Sequence, residues 1–207
     1  MSKHEKKGIN EFHGDAVIAP PFPLPDGEFD FGAPILSPPH PLGAERADGS
    51  IALLAHCSRT KTDAVPAVLF AAMRVGTPDE FRYLIVDYTD GLSVFDGTDY
   101  AVSNAVSGAY AELVLSAVDC EAERRERERT HCPNILLTIA GADAECIDGL
   151  ITADRMARYS RVGIYVLIAP SCGSPTVECE YIDASELSEY SASALRKTVA
   201  AFDRRNV

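Results

Sequence analysis

Residues 133–170 read PNILLTIAGADAECIDGLITADRMARYSRVGIYVLIAP: two runs of apolar and β-branched residues, NILLTIAG and VGIYVLIAP, enclosing a polar stretch. Runs of this length and composition fit strands buried on both faces. Ala153 to Arg161 between them reads as a short helix. A third run, FRYLIVDY over 81–88, is rich in aromatic and β-branched residues and predicts another strand. Strands separated by helical segments give an α/β or α+β class: one domain built on a single mixed β-sheet with about three helices.

Around these runs the remaining elements are read from periodicity and turn residues. Ser50–His56 reads as a strand, and Val65–Val75 as a strand or a short buried helix, with Pro66 disturbing its first residues. The Asp and Gly residues at 89–91 and 96–97 predict turns that make LSVF the second arm of a hairpin. Ala101, Ala105, Ala109, Leu113 and Ala117 recur every four residues, which favours a helix running into EAERRERER at 121–129. Glu121 with Arg125, and Glu123 with Arg127, sit at i,i+4, so that end reads as solvated. Ala111–Val118 also satisfies a short buried strand. TVECEYI at 176–182 alternates Val177, Cys179 and Tyr181 with glutamates, the mark of a strand with one wet face, paired with the preceding strand through a turn at Ser171–Pro175. Asp183 or Ser185 then caps a final amphipathic helix carrying Leu187, Leu195, Val199 and Phe202.

The N-terminal part has a different texture. Eight of the 13 prolines lie between Pro20 and Pro41, where fixed φ and missing N–H donors exclude helix and central strand. The chain thus divides into a polar N-terminus (1–15), an extended Pro-rich arm (16–48) and a body (49–207). The arm carries Phe22, Leu24, Phe29, Phe31, Ile35 and Leu36, apolar groups that must be covered, either by the arm's own domain or by a neighbouring subunit.

Composition limits function. The 207 residues carry 19 Lys plus Arg against 31 Asp plus Glu, a net charge of −12, which repels nucleic acid and anionic membrane. No apolar run reaches the ~20 residues of a membrane span, and no hydrophobic stretch follows the basic N-terminus as in a signal peptide. A cytoplasmic protein, or one within an assembled particle, is expected. None of the six cysteines forms a C-x-x-C pair; Cys57, Cys120, Cys132 and Cys146 lie in or beside apolar segments and are expected as buried free thiols. G-x-S-x-G, Walker A and G-x-G-x-x-G motifs are absent. Asp87, Asp90, Asp96 and Asp99 cluster over the expected hairpin, where they could ligate Mg²⁺ or simply serve turns and a helix cap.

Residues 133–182 resemble the C-terminal half of Uma2-type proteins of the PD-(D/E)xK nuclease fold, through Tyr159, Gly163 and the VGIYVLIAP strand. FDFGAPILSPPHP is similar to an earlier segment of that family through Gly32, Ser37, Pro38 and His40. The resemblance implies a metal-dependent nuclease fold. Thr138 and Ala140 stand where that family's catalytic glutamate belongs, and no lysine follows at its spacing. A relative of this kind is expected to be inactive, or to take metal ligands from Asp87, Asp90 or Asp96. The expectation favoured by the residues themselves is a non-enzymatic assembly or interaction protein, structural or accessory as in a viral or phage particle. It needs no cofactor and binds protein, including its own copies, through the arm.

Overall fold

The apolar runs become the centre of a six-stranded, all-parallel sheet. The computed structural model describes residues 29–204. Its strands are β1 (Gly43–Glu45), β2 (Ile51–Leu53), β3 (Cys57–Arg59), β4 (Phe81–Asp87), β5 (Val106–Ser107), β6 (Asn134–Ala140), β7 (Ile164–Ala169) and β8 (Glu180–Tyr181). Its helices are α1 (Val65–Val75), α2 (Ala111–Glu128), α3 (Ala144–Leu150), α4 (Ala153–Arg161) and α5 (Ala192–Asp203). β1 and β2 form a separate antiparallel pair, and the main sheet runs β5-β4-β6-β7-β3-β8.

Side-chain alternation sorts each central strand between two cores. Phe81, Tyr83 and Ile85, with Leu136 and Ala140 and with Tyr165, Leu167 and Ala169, point to one face. That face is covered by α1, α5 and the β1–β2 pair through residues such as Val68, Leu69, Leu195 and Ala44. Leu84 and Val86, Ile135, Leu137 and Ile139, and Ile164, Val166 and Ile168 point to the other, beneath Val114, Leu115 and Val118 of α2, Ile147 of α3 and Tyr159 of α4. Burial on both faces explains why these strands read as unbroken apolar runs. Thr138, on the first face of β6, is fully buried and its Oγ1 has no partner among the described residues.

Tertiary context settled several alternatives and overturned others. Pro66 lies in the first turn of α1, where no N–H is needed, so 65–75 is a helix. Ala111–Val118 is helix, not strand, and α2 starts at Ala111 rather than near residue 101. The expected hairpin over 89–97 does not form. Ser93–Phe95 is instead a 3₁₀ turn that sinks Phe95 beneath Tyr83, whose hydroxyl donates to the Phe95 carbonyl at 2.7 Å. The chain then continues to β5, parallel to β4. Ser50–His56 is divided: Ile51–Leu53 pairs with β1, within the segment read as arm, and the main sheet receives Cys57–Arg59. β8 does not pair with β7, whose free edge β3 already occupies; it takes the far side of β3, in parallel. Ser191 caps α5 by accepting from Ala194 N–H, whereas Asp183 caps the 3₁₀ turn 184–186.

The thiol expectation is also corrected. In the β3–β8 register Ser58 faces Glu180 and Arg59 faces Tyr181, so Cys57 stands beside Cys179, and the two are joined as a disulfide. Cys120 is exposed, Cys146 is partly exposed, and Cys132 is the buried free thiol. No helix of the described residues is long and apolar enough to cross a membrane.

Leu137 lies at the middle of β6 with no exposed surface. Leu137→Ala is expected to lower unfolding free energy by about 3 kcal/mol, from lost transfer energy plus a residual cavity; urea denaturation followed by far-UV circular dichroism measures it.

Candidate functional site

Doubly wound sheets place ligands at the carboxyl ends of their strands, and here the polar groups of that edge are engaged by the chain itself. Lys61 connects β3 to a 3₁₀ turn, Thr62–Ala64, that leads into α1, leaving no glycine-rich loop to cradle a phosphate. The Thr62 hydroxyl faces the carbonyls of Ala169 and Pro170 at 3.2 and 3.3 Å. Asp87, 4% exposed at the end of β4, accepts from Thr89 N–H and Oγ1–H on one oxygen and from Leu92 N–H on the other. Asp96 accepts from Ala105 N–H at 2.7 Å. Asp90 is exposed at φ +57°, and Asp99 is exposed. Among the described residues no group of three His, Cys, Asp or Glu side chains could hold a metal ion. Asp87 and Asp96 therefore serve the loops that follow β4. Of the residues that carry the nuclease resemblance, Tyr159 is buried under the sheet and donates to Asp119 at 2.8 Å. Gly163 takes a φ of +72° before β7.

The arm leads to the opposite edge. Phe22 and Leu24 lie outside the described residues. Phe29 and Phe31 stack with centroids 6.0 Å apart and pack against the second core. Between them Asp30 N–H donates to the Val102 carbonyl, and its carboxylate meets Arg82 at 2.6 Å. Hydrogen bonds from Arg82 and the Gly32 N–H hold the Asp30 carboxyl below its usual range. Ile35 N–H then donates to the His131 carbonyl, Asn134 Nδ2–H to the His40 carbonyl, and Leu42 N–H to the Tyr165 hydroxyl. Residues 29–42 are thus a strap across the amino ends of β4, β6 and β7. Ile35 is half-buried, while Leu36 is fully exposed.

Where the strap crosses β6 and β7 it walls a groove of about 540 Å³. His40, His56 and His131 line it, with Arg125, Arg129 and Arg161 and a single carboxylate, Glu126. The groove gathers cations on an acidic chain, with Arg161 paired to Glu126 at 2.8 Å. Its floor comes from the charged end of α2, which is not uniformly solvated as the sequence suggested. Glu121 and Arg125 do pair, at 2.7 Å, but with side chains only 5% and 3% exposed. Arg124 adds two hydrogen bonds to the same carboxylate. Glu123 turns to Arg158 of α4 rather than to Arg127. The signal was in the sequence: 111, 114, 115, 118, 122 and 125 form one helical stripe, which carries Arg125 into the interior.

Burial pushes the Glu121 carboxyl up, but the hydrogen bonds from Arg124 and Arg125 outweigh it and hold the group below its ordinary value of 4.5. A carboxyl lowered in this way contributes stability that is complete above the unfolded value and lost as pH falls through the folded one. Glu121→Gln leaves Arg125 buried without a counter-charge and is expected to cost about 3 kcal/mol at pH 7. The gap to the unaltered protein should narrow as pH falls below 4.5. Denaturant titrations at pH 7, 5 and 3.5 check both the size and the sign.

Comparison with known proteins gives limited kinship. No protein-family model and no curated protein matches the chain. Among solved structures, it is similar to the cytoplasmic domain of the Thermomonospora curvata type VII secretion ATPase EccC, at 17% identity over 63% of this chain and 18% of that one, with a TM-score of 0.42. The cytoplasmic domain of EssC aligns at 12% identity over 81% of this chain and 49% of that one, TM-score 0.49. EssC ATPases 2 and 3 from Geobacillus thermodenitrificans give 14%, 81%, 42% and 0.46 in the same order. This chain therefore spans less than half the length of each of these structures, and likeness of this degree assigns no activity.

Proposed function

We propose that the protein is a non-enzymatic assembly or interaction module, binding protein partners, including its own copies, through the part of its Pro-rich arm that precedes Phe29. The observation that carries this reading is the commitment of the sheet's carboxyl edge to self-stabilisation. Asp87 and Asp96 are engaged by backbone N–H groups of the loop that follows β4, and the Thr62 hydroxyl by the carbonyls that end β7. A catalytic base or metal ligand needs free lone pairs facing a cavity. The strap over 29–42 supports the same reading from the other side. Phe29, Phe31 and the Asp30–Arg82 pair anchor the root of the arm to its own domain, so whatever the preceding residues bind is held to the folded body. Phe22 and Leu24 supply apolar contact area in a segment whose prolines have already reduced its conformational entropy.

The full chain carrying Phe22→Asp and Leu24→Asp tests this. Light scattering is expected to show an oligomer for the unaltered protein and a monomer for the double variant, with the same melting temperature for both. An unchanged mass, or a variant that melts several degrees lower because these residues belong to the domain's own core, refutes the arm as a latch.

A further inference from the structure

One residue that lines the groove at the amino edge of the sheet carries a donor that the other described residues leave unsatisfied. Arg125 donates through Nε to Glu121 at 2.7 Å and through Nη1 to the Val162 carbonyl at 3.0 Å, while its buried Nη2 has no partner among the described residues. An unmatched buried guanidinium N–H is costly, and here it belongs to a residue that lines an open groove. A second feature points to an anionic ligand. Arg129, held at the end of α2 in the left-handed conformation, is exposed and makes no ion pair among the described residues. Gly163, at φ +72°, lets the groove wall pass close to Asn134, whose Oδ1 would stand 2.7 Å from a Cβ there.

Size and lining narrow the ligand class. A volume of 540 Å³ falls in the ~300–1,000 Å³ range of small-molecule sites and exceeds what one inorganic ion fills. The His56 ring stacks on Tyr165 with centroids 4.5 Å apart, giving the groove a flat wall beside the cations. Guanidinium groups match phosphoryl oxygens in geometry and charge better than an ammonium does. We propose that this groove binds a phosphorylated small molecule. The phosphoryl group pairs with Arg129 and sits over the Arg125 guanidinium, and the organic part lies against the His56–Tyr165 wall. The site is independent of the arm's role as a latch, since it uses no residue before Pro39.

The test uses the full-length, ¹⁵N-labelled protein titrated with glycerol 3-phosphate and, separately, inorganic phosphate, with glycerol and with sodium chloride of matched ionic strength as controls. Saturable shifts of the Asn134 and Gly163 amides are expected with both phosphates, tighter for the ester, and absent from the controls. Arg129→Ala removes an exposed side chain, so its fold is retained, and it should weaken ester binding about tenfold, the loss of one charge-assisted contact. Shifts that never saturate, that sodium chloride reproduces, or that keep the same Kd in Arg129→Ala overturn the site. Tighter binding of inorganic phosphate than of the ester overturns the small-molecule assignment.

Discussion

Burial of the central sheet on both faces is the constraint from which the rest of the molecule follows. β4, β6 and β7 have no solvent-facing side, so successive residues must satisfy two different cores, and the alternation of Leu136 with Ile135 and Leu137 shows them doing so. Such strands cannot carry working polar groups along their length, and Thr138, fully buried with a hydroxyl that no other described residue meets, shows what a polar atom finds there. Chemistry is pushed to the two ends of the strands. At the carboxyl end the loops consume their own polar groups; at the amino end the strap and the last turns of α2 leave a basic groove.

The Glu121–Arg125 pair ties that groove to the fold. Both side chains lie on the buried stripe of α2, so each is tolerable only with the other in place. Arg124 brings further donors to the same carboxylate, and Arg125 in turn reaches the Val162 carbonyl just before β7. One ion pair thereby fixes the angle of α2 against the strand that forms the groove's far wall. The strap adds a second restraint, since Asn134 at the head of β6 holds the His40 carbonyl at 2.7 Å. The groove is assembled from four separate parts of the chain.

Much of the fold was legible because its strands are local and extreme in composition. NILLTIAG and VGIYVLIAP became β6 and β7 within a residue or two, and Ala153–Arg161 became α4. Legibility failed where one motif served two geometries. The Asp-Gly pairs around LSVF fit a hairpin as well as they fit the open loop that buries Phe95, and nothing local distinguishes them. The candidate site was scarcely legible. Its arginines were visible, but in a run that looked solvated, and its histidines at 40, 56 and 131 are far apart in sequence. Of the carboxylates visible as a cluster, Asp87 and Asp96 bond to the loop that follows β4.

The sequence by itself determined the elements: periodicity and β-branching set which segments are strands and helices, and proline kept residues 29–42 out of both. Only the tertiary structure decided how they join. Strand order, the all-parallel direction, the Cys57–Cys179 disulfide between β3 and β8 and the strap's path depend on which edges and faces remain free once the central strands have paired. That is a matter of long-range competition for burial and hydrogen-bond partners. No window of neighbouring residues contains it.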